Sequence, residues 1–274
     1  LPSFHWAFNF YIVLHLALAG FFTYCYMREE RASLEAAVIA GLAFGMSGYL
    51  MSTISLTIAL CAASYFPLAL LALRRAFRQN DFFWKGVSAL VLLLQYLAGD
   101  PAVVLTTLLV YALIAGFKTL NRWMTHKDLS PKYILDLSKI VLTFLALSAF
   151  QTLLFAEFVA HTSRLGLRPE ESMKWSMPPY EVLGLFIPSI SDITFYTQDY
   201  WIRQGWLANH YCGTVIFLLA CLALAVKKTQ NAKHLFLMAL FGILLSLGQY
   251  SPVYLLLREA FPLLEIIRYP QRFF

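Results

Sequence analysis

The fold class this sequence predicts is an all-α, polytopic transmembrane protein, and three observations predict it. Of its 274 residues, 60% are hydrophobic and only 13% are charged, against about 25% charged in an ordinary soluble domain. The apolar residues fall into about eight runs, most near the length that crosses a bilayer as a helix. The basic residues return in every second turn between those runs, the charge pattern of a multi-pass chain.

The runs follow in order. The first, Phe4 to Met27, begins with the aromatic residues Phe4, Trp6, Phe8, Phe10 and Tyr11. Aromatic rings favour the headgroup level, so its first residues are expected to lie along the outer surface before the helix turns in. Arg28-Glu29-Glu30-Arg31 closes it. Glu35 to Tyr49 carries Gly41, Gly45 and Gly48, and the Gly41/Gly45 step reads as close helix packing rather than a ligand site. Ser52 to Leu73 contains Pro67, which removes one backbone hydrogen bond and predicts a kink near Ser64. Trp84 to Ala98 runs into Gly99-Asp100-Pro101, where Asp100 can cap and Pro101 can open the next helix, Ala102 to Phe117. Ser138 to Phe158, Tyr211 to Val226 and His234 to Leu247 complete the set. Gly248 to Pro252 breaks the chain again, and Val253 to Phe261 reads as a short interfacial helix. Several of these spans have only 15 to 17 residues, which suits interior helices or a thinner local bilayer.

Charge tests the alternation. Fourteen of the 21 Lys and Arg lie in or near four turns, at 28–31, 74–85, 118–139 and 227–233. The turns near 50–54 and 99–101 have none. With the basic turns in the cytoplasm, eight spans put 158–210 and 249–274 together on the opposite side. The net charge of +6 is therefore an orientation signal, and no nucleic-acid partner is expected. The four cysteines, Cys25, Cys61, Cys212 and Cys221, sit in apolar segments without ligand spacing and read as small packing residues. The whole chain reads as one transmembrane domain, residues 1–274, with 158–210 as its long extracytoplasmic loop. Both ends look cut, so a longer parent protein is expected.

Nine of the 15 acids fall on the predicted outer side. Asp100 and Glu157 stand out because each ends an apolar helix, where a charge tends to face protein or a cavity. Asp100 also suits a helix cap, and Glu157 a salt bridge to His161 or Arg164. His161 follows Glu157 by one helical turn, and the pair offers two donors toward a divalent metal. Arg164, Arg168, Arg203, Arg268 and Arg272 suit a phosphate, because the guanidinium fork matches its oxygens. They suit lipid headgroups and surface salt bridges equally well. Tyr200 and Trp201, beside Asp199 and Arg203, offer aromatic faces for a sugar or for the membrane interface. The sequence has no glycine-rich phosphate loop, nucleophile elbow or zinc-protease helix.

Ordered motifs run through the chain: Ser3-Phe4 with His15 and Gly20, the Gly41–Gly48 stretch, Phe66-Pro67-Leu68, and Leu97 to Pro101. They continue with Gln151 to Glu157 and Ser163-Arg164, Tyr211-Cys212-Gly213, Leu247-Gly248 with Pro252, and Arg268 to Phe273. In this order the chain resembles the bacterial YfhO-like membrane proteins, which look like members of the GT-C superfamily of lipid-dependent glycosyltransferases. The resemblance implies a bacterial cytoplasmic membrane location and transfer of a sugar from a polyprenyl-phosphate donor to a cell-envelope glycan or polymer. It implies catalytic roles for Glu157 and Asp100. It also implies substrate contacts from Arg164, His161, Arg203, Arg268, Arg272, Tyr200 and Trp201, a possible divalent ion (Mg or Mn), and membrane lipids as neighbours. Asp100 departs from the family, where a histidine is common at that position. The acidic residue of the family's first outward loop would lie before Leu1. Two other readings stand beside this one: a transporter or flippase of a lipid-linked substrate, and a non-catalytic membrane assembly protein.

Overall fold

The computed structural model describes residues 2–127, 130–162, 173, 176–188, 209–226, 230–261 and 270–273. It divides into two compact units, Leu1–Phe150 and Gln151–Phe274. In the first unit α1 (Pro2–Glu29) is followed by α2 (Leu34–Gly45), the short α3 (Gly48–Ser52), α4 (Thr57–Ser64) and α5 (Phe66–Gln79). Next come α6 (Phe82–Leu97), α7 (Pro101–His126) and α8 (Lys132–Ala160), whose last turns belong to the second unit. The second unit adds a 3-10 segment (Pro179–Leu185), α9 (Thr214–Ala225), α10 (Gln230–Ser246) and α11 (Pro252–Ala260).

Each apolar run of the sequence falls on helix. Among the described residues, five segments are long and apolar enough to cross a membrane: Ser3–Glu29, Leu34–Ser55, Thr57–Gln79, Pro101–His126 and Lys132–Ala160. Phe82–Leu97, Thr214–Ala225 and Leu235–Ser246 are shorter apolar helices. The surface names the solvent. Phe150 and Trp6 are each 77% exposed, and Leu142, Leu153 and Leu218 also stand clear of the fold. Apolar faces this long would aggregate in water and are the normal outer surface in lipid. The chain is a multi-pass, mostly helical membrane protein.

Three expectations about helix ends change. Some helices run past their apolar runs, α7 continuing beyond Phe117 to His126 and α8 beginning at Lys132, whereas Phe82–Leu97, Thr214–Ala225 and Leu235–Ser246 stay short. Polar and basic residues extend a helix beyond its apolar stretch by sending their heads toward the interface. At the other extreme, α9 keeps only 12 helical residues, starting at Thr214 instead of Tyr211. The aromatic start of the chain does not form a separate surface segment either, since Pro2–Glu29 is one continuous helix of 28 residues. The Pro67 kink is where the proline puts it: α4 ends at Ser64 and α5 restarts with Pro67 in its first turn.

Packing in the first unit is close where side chains are small. A Cβ on Gly41 would lie 2.7 Å from the Gly20 carbonyl oxygen, and one on Gly45 would lie 3.1 Å from that of Leu16. Contact between α1 and α2 therefore depends on glycine, as expected where dispersion rather than hydrophobicity joins helices in lipid. The core beyond it is built from Leu73, Phe77, Leu92, Tyr111, Ile140 and Phe144. Two buried polar groups tie its helices: the Tyr111 hydroxyl donates to the Ala69 carbonyl at 2.6 Å, and Gln95 Nε2 to that of Ala62 at 3.1 Å.

One end of this unit gathers charge. Glu29 pairs with Arg75 at 2.9 Å and Arg78 at 2.7 Å, and Glu30 pairs with Arg74 at 2.9 Å. Arg75 also lies over the Trp84 ring, 4.5 Å from its centroid. Lys85 Nζ meets Asp136 Oδ1 at 2.6 Å, and both side chains are buried. The first three basic turns thus share one end of the unit. Gly99, in the turn before α7, lies beside Ile58 in the first turn of α4.

Candidate functional site

In the second unit, a polar layer forms where short connections cap α9 and α10. The Met177 N–H donates to the Ser246 carbonyl at 2.9 Å, and the Gln249 N–H donates to Ser176 Oγ at 3.0 Å. Gly248 makes this junction possible. Its φ is +50°, and a Cβ there would collide with Ser176 Oγ and lie 2.7 Å from Pro270 Cγ. Residues 176–177, 246–249 and 270 are therefore fixed against one another. On the α9 side, the Cys212 N–H donates to the Leu185 carbonyl at 3.0 Å, and Thr214 Oγ1 donates to that of Phe186 at 2.7 Å. Phe186 stacks on Phe217, 4.7 Å between centroids.

The second unit buries polar side chains. Ser176, Glu181, His210, Ser246, Ser251 and Tyr254 are all at or below 1% exposure. Burial lowers the His210 pKa to about 4, because the imidazolium loses its hydration there. At neutral pH this histidine is uncharged. Glu181 sits in the 3-10 segment between Pro179 and Leu185, held by a turn in which its N–H donates to the Pro178 carbonyl at 3.0 Å. Nearer the surface, hydrogen bonding with Thr214 lowers the Tyr211 pKa, and burial raises that of the Cys212 thiol. A buried neutral imidazole and a buried carboxyl in the second unit are chemistry that residue spacing alone did not single out. Glu181 counted only as one of the outer acids, and no periodicity marks His210.

The residues expected from sequence fall in different places. Asp100 belongs to the first unit and is 2% exposed. Its Oδ1 accepts from the Ala102 N–H at 3.1 Å, the N-cap of α7. Glu157 is exposed in the last turn of α8, and His161 is exposed in the turn just after it. The His161 N–H donates to the Glu157 carbonyl at 3.3 Å, so one helical turn does separate them. Among the described residues no ion pair joins their side chains. Arg164, Tyr200, Trp201, Arg203 and Arg268 lie outside the described residues, as do Lys227 and Lys228 of the fourth basic turn. The Arg272 backbone lies in the 3-10 turn Pro270–Phe273, and its side chain is outside them too.

No protein-family model matches this chain, and no curated protein or solved structure matches it. Function must therefore be argued from its own residues. Among the described residues no group of three or more His, Cys, Asp or Glu is arranged for a metal. Glu157 and His161 offer two donors on one helix end, fewer than a divalent ion takes from a dedicated protein site.

Proposed function

We propose that this protein is a membrane glycosyltransferase of the GT-C type, moving a sugar from a polyprenyl-phosphate donor to an acceptor outside the cytoplasmic membrane. The observation that carries the reading is the assembly of the second unit's polar layer. Both segments assigned to the outer side contribute to it, 158–210 through Ser176, Met177 and Leu185, and 249–274 through Gln249 and Pro270. Such a layer over apolar helices suits a reaction whose substrate is part lipid and part sugar.

The transfer needs few groups. The acceptor hydroxyl attacks the sugar's anomeric carbon, and the new C–O bond forms as the bond to the donor phosphate breaks. The proton passes to a carboxylate, for which Glu157 is exposed and available. The leaving polyprenyl phosphate takes the bonding electrons, and Arg164, Arg268 and Arg272 are assigned to its charge. Tyr200, Trp201, Arg203 and His161 are assigned to the sugar. Asp100 is assigned to capping α7.

The test is transfer from radiolabelled polyprenyl-phosphate sugars by the parent protein in membranes, beside Glu157→Gln and Arg268→Ala. Transfer that falls in both variants, at unchanged membrane yield, is the expected result. Absence of transfer and of donor binding in the parent refutes the reading. Donor binding without transfer replaces it with a carrier or flippase of lipid-linked sugars.

A further inference from the structure

The backbone contact between α1 and α2 leaves a groove beside it. Gly20, Gly41 and Gly45 bring the helices so close that a Cβ on Gly20 would lie 3.0 Å from the Gly41 carbonyl oxygen. With no side chains at these positions, a space of about 460 Å³ remains between the flanking residues. α1 lines it from residue 13 to residue 24, and α2 lines it from residue 38 to residue 45. Met46 and Met51 close the end away from the α1–α2 turn. Apart from the Tyr24 hydroxyl, no lining side chain carries an N–H or O–H group. Val13, Phe21, Leu42 and Met46 are exposed along it. Both walls belong to segments long and apolar enough to cross a membrane, so hydrocarbon rather than water fills the space.

We infer that this groove holds one acyl chain of a membrane glycerophospholipid, with the lipid phosphate at Arg28 and Arg31. Length argues for a chain. Residues 13–24 of α1 rise about 16 Å, and the hydrocarbon of one leaflet is about 15 Å deep. The groove therefore covers one leaflet, from near the charged end of the unit to midspan. A helix from a second copy would need a matching surface across both leaflets. Charge argues for a phosphate at the mouth. Arg28 lies one helical turn beyond Tyr24 on the same face of α1. Its Nη1 donates to the Ala32 carbonyl at 2.8 Å, which holds the guanidinium at the α1–α2 turn and leaves its other N–H groups for a ligand. Arg31, in that turn, is exposed and joins no ion pair among the described residues. The nearby acids are accounted for: Glu29 pairs with Arg75 and Arg78, and Glu30 with Arg74. Glu35 reaches Arg28, but it is also bonded to Ser33 and its own N–H at the start of α2. Two guanidinium groups thus face one carboxylate, and their forks match phosphate oxygens. The inference is independent of the glycosyltransferase reading.

Photolabelling of the full-length protein in phospholipid vesicles tests it. The probe is phosphatidylglycerol with a diazirine midway along one acyl chain, and tandem mass spectrometry locates the adducts. Leu42, in the groove, is 59% exposed, and Leu142, on the open face of α8, is 65% exposed, so ordinary surrounding lipid would label them alike. Each cation near a membrane surface is worth about fivefold in binding, so groove residues should exceed Leu142 by about tenfold or more. Arg28→Gln should lower that excess about fivefold, and Arg28→Gln with Arg31→Gln should nearly remove it. Ala17→Trp, which fills the groove from the α1 wall, should abolish it, and Leu142→Trp should leave it unchanged. If Ala17→Trp loses the parent's monodisperse elution, Leu42→Trp is read in its place, at Phe21 and Met46. Equal labelling of the groove and Leu142 in the parent overturns the inference. So does an excess that survives the filled groove or the double arginine variant. Cross-links between two protein copies at the groove, in place of lipid adducts, also overturn it by making a second copy the occupant.

Discussion

Removing one partner of the Lys85–Asp136 pair should be far more damaging than removing both. The two charges meet at 2.6 Å with side-chain exposures of 7% and 4%. At an effective dielectric near 20, two charges this close attract by roughly 6 kcal/mol. Most of that attraction offsets the cost of taking both ions out of water. Further hydrogen bonding is uneven. Lys85 Nζ also donates to Asn80 Oδ1 at 3.0 Å, whereas Asp136 Oδ2 is buried without a hydrogen-bond partner among the described residues. A pair so incompletely satisfied adds little net stability, yet it leaves a costly charge behind when broken. Asp136→Asn is therefore expected to destabilise by about 3–5 kcal/mol, and Lys85→Met with Asp136→Leu by about 1 kcal/mol or less. At about 2–4 °C per kcal/mol for a domain of this size, the single variant melts roughly ten degrees below the parent. Thermal unfolding of the purified protein in detergent reads both. An Asp136→Asn protein that melts with the parent refutes the reasoning. So does a double variant that loses the sum of the two single effects.

Other sites give equally direct outcomes. Gly41→Ala drives a methyl group to 2.7 Å from the Gly20 carbonyl and should cost about 1–3 kcal/mol as α1 and α2 separate. Gly86→Ala meets nothing within 4 Å and should gain up to about 1 kcal/mol of helix propensity; thermal shifts of opposite sign check the contrast. His210 links stability to pH. Its pKa falls from 6.5 in the unfolded chain to about 4 in the fold, so the unfolded state takes up the proton first on acidification. The contribution is complete above pH 6.5 and is lost as pH falls toward 4, reaching on the order of 3 kcal/mol. His210→Gln should flatten that part of the pH–stability profile; an unchanged slope would assign it to other groups. Asp100→Ala should cost about 1 kcal/mol through loss of the α7 cap, and Asp100→Ser should recover most of it. A serine variant that melts normally but transfers no sugar would give Asp100 a chemical role beyond capping.

The sequence showed most clearly what depends on chain-local physics. Apolar runs became helices because a bilayer requires each backbone N–H to be satisfied within its own segment. The break before Pro67 and the cap at Asp100 follow from a missing donor and an available acceptor. Helix ends were less legible: hydropathy stops at Phe117, while the α7 backbone continues through Lys118 and Arg122 to His126. Tertiary pairing was not legible at all. Glu29 finds Arg75 across 46 positions, and Lys85 finds Asp136 across a comparable stretch. As sequence, Arg74, Arg75, Arg78 and Lys85 could be read only as orientation charges. The glycine step at Gly41 and Gly45 announced close packing, but its partner Gly20 lies on another helix and is revealed only by the fold. The same limit hid Glu181 and His210, because burial of a single polar residue in a connecting segment leaves no periodic trace.

These differences decide which acid can be tested cleanly. Asp100 is buried and holds the first turn of α7, so any loss of activity on its removal mixes chemistry with folding. Glu181 is fully buried in the second unit and has the same ambiguity. Glu157 differs from both. It is exposed, ends a long helix, and joins no ion pair among the described residues. A surface substitution of that kind changes stability by no more than about 0.5 kcal/mol. Loss of a general base typically costs about 10²–10⁴-fold in rate, an effect that so small a stability change cannot imitate. A Glu157→Gln protein with the parent's melting temperature and undiminished transfer would remove Glu157 from the reaction. The base would then have to be sought among the carboxylates of the second unit, with Glu181 first.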